Sequence, residues 1–153
     1  MNLKLKVFSF LCLLAFILAG CSSGGDEQGV GEYAGEASEY MEKVADFARD
    51  IPEKAEKAAN DEQAKQELKD SLKEMKQEIN EFGKVQAPEI AGDFHKEIVD
   101  NSKILKEKID DYLERIDKGD INEDFVEKED FSKASDKIKE SFNKLKELGE
   151  TEK

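Results

Sequence analysis

The chain has no tryptophan, one histidine, two cysteines and two prolines among 153 residues, and 24 basic residues stand against 37 acidic ones. Each shortage removes a class of function. A basic deficit disfavours nucleic acid, whose binding depends on cations displacing counterions from phosphates, and supplies no electrostatic pull toward anionic lipid. A carboxylate-bridged di-iron bundle wants two Glu-x-x-His motifs, whereas the residue three before the single histidine, His95, is Gly92. No glycine-rich phosphate loop follows a strand pattern, and no nucleophile and base can be assembled from spacing. The expectation is therefore a non-enzymatic protein with no cofactor and no metal. Long apolar runs are missing too. The longest, Val7 to Ala19, spans thirteen residues, well short of the roughly 20 needed to cross a bilayer.

What is present begins with that run. Lys4 and Lys6 precede it, and it closes on Leu18-Ala19-Gly20-Cys21, so residues 1–20 have the form of a signal peptide. The four closing residues resemble a lipobox, the processing site of bacterial lipoprotein precursors. That resemblance implies that Cys21 becomes the lipidated first residue, with a diacylglyceryl thioether and further acyl chains such as palmitate. Two or more chains hold a protein stably where one does not. The bilayer would then be a partner through Cys21 alone, with the rest on the extracytoplasmic face of the cell membrane, or at the outer membrane in a Gram-negative host. Cys12 leaves with the leader and Cys21 is consumed, so no thiol remains for a disulfide.

The 133 residues left are enough for one hydrophobic core. Loss of Lys4 and Lys6 leaves 22 basic residues against 37 acidic ones, net −15, a charge suited to solubility, to cationic partners or to diffusely held cations. Residues 21–35 read as a lipidated N-terminus and flexible tether, because Gly24, Gly25, Gly29, Gly31 and Gly35 fall there among polar residues. About 14 such residues would span roughly 20 Å.

Residues 36–148 carry helical periodicity. Ala37, Tyr40, Met41, Val44, Phe47, Ala48 and Ile51 define a first stripe, which Pro52 should kink or break before it ends near Asn60. Asn60 with Gln63 suggests a capping pair for a second helix along Ala64, Leu68, Leu72, Met75, Ile79 and Phe82, ended by Gly83 in a left-handed conformation. Pro88 suits the start of a third, running through Ile90, Phe94, Ile98, Leu105, Ile109, Tyr112, Leu113 and Ile116 to a glycine cap at Gly119. In that stripe Ser102 stands where a larger core residue is expected. The last region carries Ile121, Phe125, Val126, Phe131, Ala134, Ile138, Phe142, Leu145 and Leu148, either as one helix or as a short and a long one, and residues 149–153 should fray. Short turns and single apolar stripes predict an all-α fold, an antiparallel up-down four-helix bundle, with a three-helix bundle as the alternative.

Few side chains stand out as candidate ligand groups. His95 can bind a ligand or sense pH, though a lone histidine is more often a packing residue. Tyr40 and Tyr112 can place hydroxyls at the rim of an interhelical groove. The acidic run of Glu123, Asp124, Glu127, Glu129 and Asp130 lacks the spacing of a calcium-binding loop and reads as a solvated linker.

Beyond the lipobox, Glu39-Tyr40-Met41-Glu42-Lys43-Val44-Ala45, Asn60-Asp61-Glu62 and Gln86-Ala87-Pro88-Glu89-Ile90 leading into Asp93-Phe94-His95 resemble small lipoproteins of spore-forming Gram-positive bacteria. A more distant likeness, in composition and helicity, is to helical lipoproteins proposed to bind the cell wall. The resemblance implies no catalytic residue. Together these readings predict a membrane-tethered extracytoplasmic interaction or envelope-maintenance lipoprotein that meets an envelope protein or cell-wall component. The competing expectation is a small-ligand or cation-binding lipoprotein associated with transport.

Overall fold

A computed structural model of the chain describes residues 27–121 and 128–151. Four α-helices account for most of them: α1 (Glu27–Ala58), α2 (Glu62–Phe82), α3 (Gly92–Asp117) and α4 (Lys128–Thr151), with a single 3-10 turn at Glu89–Ala91 before α3. No strand occurs among the described residues. Each helix packs on two others, α1 on α2 and α4, and α3 on α2 and α4. This is the ring order of an up-down-up-down four-helix bundle, in which α1 and α3 face each other across the core and run in the same direction.

The stripes explain the packing. On α1, Tyr33, Ala37, Tyr40, Val44, Phe47, Ile51, Ala55 and Ala58 are buried, advancing by threes and fours as one helix face requires. Leu68, Leu72, Met75, Ile79 and Phe82 do the same on α2, and Ile98, Leu105, Ile109, Tyr112 and Ile116 on α3. On α4 the buried residues are Phe131, Ala134, Ile138, Phe142 and Leu145, joined by Ser135 and Ser141, which periodicity alone did not single out. The seams are stitched by lysines. Along α2 and α3, Lys69 meets Asp117, Lys76 meets Asp110, and Lys106 donates to Asn80; one partner descends as the other ascends, which is the antiparallel register written in charge. Such exposed pairs are screened by water and add little stability, so they select register more than they stabilise.

Several boundaries differ from the sequence expectation. Residues 27–35, assigned to the tether, form the first turns of α1. Their glycines cost about 1 kcal/mol each in a helix, but Tyr33, 2 % exposed, is buried in the core and anchors those turns. Pro52 lies inside α1, which runs through it to Ala58 without a break. An interior proline costs about 3 kcal/mol, and burial of Ile51, Ala55 and Ala58 on the same face offsets it. The cap of α2 is Asp61, whose carboxylate accepts from the Ala64 N–H at 2.9 Å. Asn60 is used otherwise: its N–H, with that of Ala59, closes the last turn of α1 on the carbonyls of Lys57 and Ala55. Gln63 instead donates to Glu67, one turn on.

Gly83 is right-handed, with φ −63°, because α2 unwinds through tight turns, Lys84 N–H to Glu81 O and Val85 N–H to Phe82 O. Gly119 does take the left-handed conformation, φ +76°. Its N–H reaches the Ile116 carbonyl and that of Asp120 reaches Arg115, the paired bonds of a Schellman end. α4 continues to Thr151, and residues 152 and 153 of the expected tail lie outside the described residues.

Candidate functional site

Two of the three side chains singled out in the sequence meet at one end of the bundle. Tyr33 and Tyr40 project from the first half of α1, Phe82 from the last turn of α2, and His95 and Ser102 from the first half of α3. The Tyr40 and Phe82 rings stack at 4.2 Å and 5°. The Tyr40 hydroxyl, deeply buried, donates to Ser102 Oγ at 2.7 Å, and Ser102 in turn donates to the Ile98 carbonyl at 2.7 Å. Seven residues toward the start of α1, the Tyr33 hydroxyl lies 3.1 Å from His95 Nδ1. Phe82 and His95 lie in ring contact at 5.2 Å. Both polar bonds therefore join α1 to α3 across the diagonal of the core. The small Ser102, unexpected in an apolar stripe, makes room for the Tyr40 ring and gives its hydroxyl an acceptor.

Burial governs the titration of the cluster. It pushes Tyr40 up to about 12, with Glu78 acting the same way and the Ser102 hydrogen bond against it. Tyr33 is likewise pushed up to about 12, by burial first and then by Glu36. His95, half-buried, is held below the ordinary histidine value because its cation would be partly stripped of water. Both tyrosines are thus neutral at physiological pH. Among the described residues, no buried side-chain nitrogen or oxygen lacks a hydrogen-bond partner.

Tyr112 does not join them. It packs in the other half of the bundle, 5.0 Å from the Phe131 ring, which Phe47 meets edge-on at 5.2 Å, while the Arg115 guanidinium lies 5.6 Å from the Tyr112 ring centre. Phe47, Phe82, Phe131 and Phe142 are buried, and Phe94 is packed partly against the core, as their spacing predicts. Cys21, Glu123, Asp124 and Glu127 lie outside the described residues.

A concavity lies elsewhere again. A cleft of about 250 Å³ between α1 and α2 has Phe47, Ile51 and Met75 at its floor and Asp46, Asp50, Glu74 and Glu78 on its rim. Two lysines close it from the sides: Lys43 pairs with Glu78 at 2.7 Å and Lys54 donates to Ser71 at 2.6 Å. Neither His95, Tyr40 nor Tyr112 lines it. Among the described residues no group of three or more His, Cys, Asp or Glu side chains is placed to hold a metal ion, and no helix is long and apolar enough to cross a membrane. Among the described residues, Ile90 and Ile104, 42 % and 40 % exposed, are the large apolar side chains most open to solvent, and they lie on separate elements.

The profile of DUF6376, described as a family of unknown function, matches residues 33–148, from the buried Tyr33 to near the end of α4. A Bacillus subtilis (strain 168) protein named "Uncharacterized lipoprotein YybP" is 30% identical over 118 residues, covering 77% of this chain and 80% of the relative. No solved structure matches.

Proposed function

The chain belongs to the DUF6376 family, and on that premise we propose that it is a lipoprotein held on the extracytoplasmic face of the cell membrane, acting as a non-enzymatic interaction or envelope-maintenance module. Two independent features support the anchor: the Leu18-Ala19-Gly20-Cys21 sequence closing a short apolar run, and the lipoprotein name carried by the Bacillus subtilis relative. That relative comes from a Gram-positive host, which gives no support to the outer-membrane alternative. The bundle is the part that meets a partner, an envelope protein or a cell-wall component, through its acidic outer faces.

The observation that carries the non-enzymatic reading is where the candidate polar groups go. Tyr40 is spent on Ser102 and Tyr33 on His95, joining helix to helix instead of converging on an opening. A general acid, a base or a ligand clamp needs its polar atoms aimed at a space where a substrate can sit. One feature favours the second reading, a small-ligand or cation-binding lipoprotein associated with transport: the cleft between α1 and α2, whose rim carries four carboxylates around an apolar floor.

Metabolic labelling with a fatty-acid analogue, followed by crosslinked pull-down from intact cells, tests the proposal. Cys21→Ser should abolish lipid incorporation and release the protein from membranes, while the wild type recovers a reproducible envelope partner. An unmodified thiol at Cys21 in protein isolated from its own cells would defeat the anchor. Saturable binding of a small cation or organic ligand by the bundle, with no reproducible partner, would move the conclusion to the second reading.

A further inference from the structure

The leash between lipid and fold is much shorter than composition suggests. α1 begins at Glu27, and its early turns are held down by Tyr33, buried against Phe82 and hydrogen-bonded to His95. Only residues 22–26 separate Cys21 from that helix. Six peptide steps reach at most about 20 Å when fully extended. The bundle is longer than that: α1 has 32 residues, a rod of about 48 Å. A domain tied so closely by one end keeps that end near the headgroups.

The connection from α2 to α3 sits at that end. A Cβ on Gly29, in the first turn of α1, would lie 3.9 Å from the Pro88 Cβ. The stretch from Phe82 to Ala91 carries one cation, Lys84, and one anion, Glu89, in a chain of which 40% is charged. Within it Val85, Ala87 and Pro88 are partly exposed, and Ile90 is 42 % exposed. At the opposite end, the α1–α2 turn presents Asp61 and Glu62, and the end of α3 presents Lys118 and Asp120, all exposed. A single exposed isoleucine is ordinary on a soluble surface. Here it belongs to a stretch with no net charge, placed at the tethered end of a strongly acidic protein.

We propose that the α2–α3 connection, with Ile90 foremost, rests on the headgroup layer of the bilayer that holds Cys21, so that the bundle stands end-on with its α1–α2 turn pointing away. The inference rests on the lipid-anchor reading. The contact is apolar: the connection has no net charge, so it avoids the repulsion that the bundle's acidic sides would meet at anionic lipid, and even a modest apolar area adds to an anchor already supplied by acyl chains. Its consequence is that the α1–α2 cleft and the distal turn are presented to the envelope, tens of ångströms from the lipid.

The absence of tryptophan makes the test direct. Ile90→Trp, Glu89→Trp and Asn60→Trp each introduce a single indole at an exposed site, and circular dichroism confirms that each variant keeps its helices. Each lipidated protein is reconstituted into phosphatidylcholine vesicles containing phosphatidylglycerol, with bromine on the lipid chains near the headgroups. Emission from Ile90→Trp should shift to the blue and lose most of its intensity, that from Glu89→Trp should follow in part, and that from Asn60→Trp should match the protein free in detergent-free buffer. Protein that floats with the vesicles but shows equal emission from the three variants would overturn the end-on contact alone. Failure to float would overturn the lipid anchor and this inference with it.

Discussion

The two aromatic clusters of the bundle both draw tyrosine and phenylalanine from the helix stripes, yet they hold the fold in different ways. At the end where α1 begins, Tyr33, Tyr40, Phe82 and His95 surround two polar bonds that cross the core. In the other half, Phe47, Tyr112 and Phe131 meet ring to ring. The first cluster specifies register. Tyr33 pairs with His95 and Tyr40 with Ser102, the same 62-residue separation in both, and slipping α1 against α3 by a turn would leave buried hydroxyls without partners. Continued along the parallel helices, that offset sets Phe47 level with Ile109, both buried. Ring packing tolerates small slips much better than a hydrogen bond does, so the polar end supplies the uniqueness and the apolar half much of the burial.

The sharpest way to break the comparison is Phe131→Ala. Phe131 is fully buried between Phe47 and Tyr112, and losing such a ring with partial collapse of the cavity should cost about 3–5 kcal/mol in urea unfolding followed by circular dichroism. A loss under 1 kcal/mol would mean that α4 is not packed as described.

At the polar end the expected losses are smaller and coupled. Ser102→Ala leaves the buried Tyr40 hydroxyl without its acceptor and should cost about 1–3 kcal/mol, whereas Tyr40→Phe removes the donor and should cost about 1 kcal/mol. Because the two groups serve each other, the double variant should lose less than the two single losses added together. Strict additivity would show that the diagonal bond does not form.

The smallest effect is one of pH. Burial holds the folded His95 below its ordinary 6.5, so in the interval between its folded and unfolded values the unfolded chain binds more protons. Stability contributed by neutral His95 is therefore complete above the unfolded value, falls as pH drops through 6.5, and levels off below the folded value. Wild-type protein should unfold at lower urea at pH 5.5 than at pH 7, and His95→Asn should narrow that gap. An unchanged gap in the variant would assign the pH dependence to carboxylates instead.

Much of the architecture was legible in the amino-acid order. The four stripes, the all-α class and the Gly119 end could each be read locally, because a 3.6-residue period and a residue tolerant of positive φ are local properties. His95 and Tyr40 were legible as unusual residues, and Ser102 as an anomaly in its stripe, but their association was not: nothing along the chain says that residues 62 apart share a hydrogen bond. The early start of α1 was hidden for a related reason. Gly29, Gly31 and Gly35 disfavour a helix by local propensity, and only the pocket that receives Tyr33 reverses that preference. The cap of α2 is Asp61, one residue after the Asn60 that the spacing to Gln63 suggested.

By itself, the sequence determined an acidic helical body and which face of each helix avoids water. Those follow from composition and periodicity, which need no knowledge of neighbours. Tertiary structure decided which helices oppose one another, where the hydroxyls of Tyr33 and Tyr40 find partners, and that the first helix begins as early as Glu27. Those outcomes depend on distances between segments remote in sequence, and such distances exist only once the four stripes have closed around a common core.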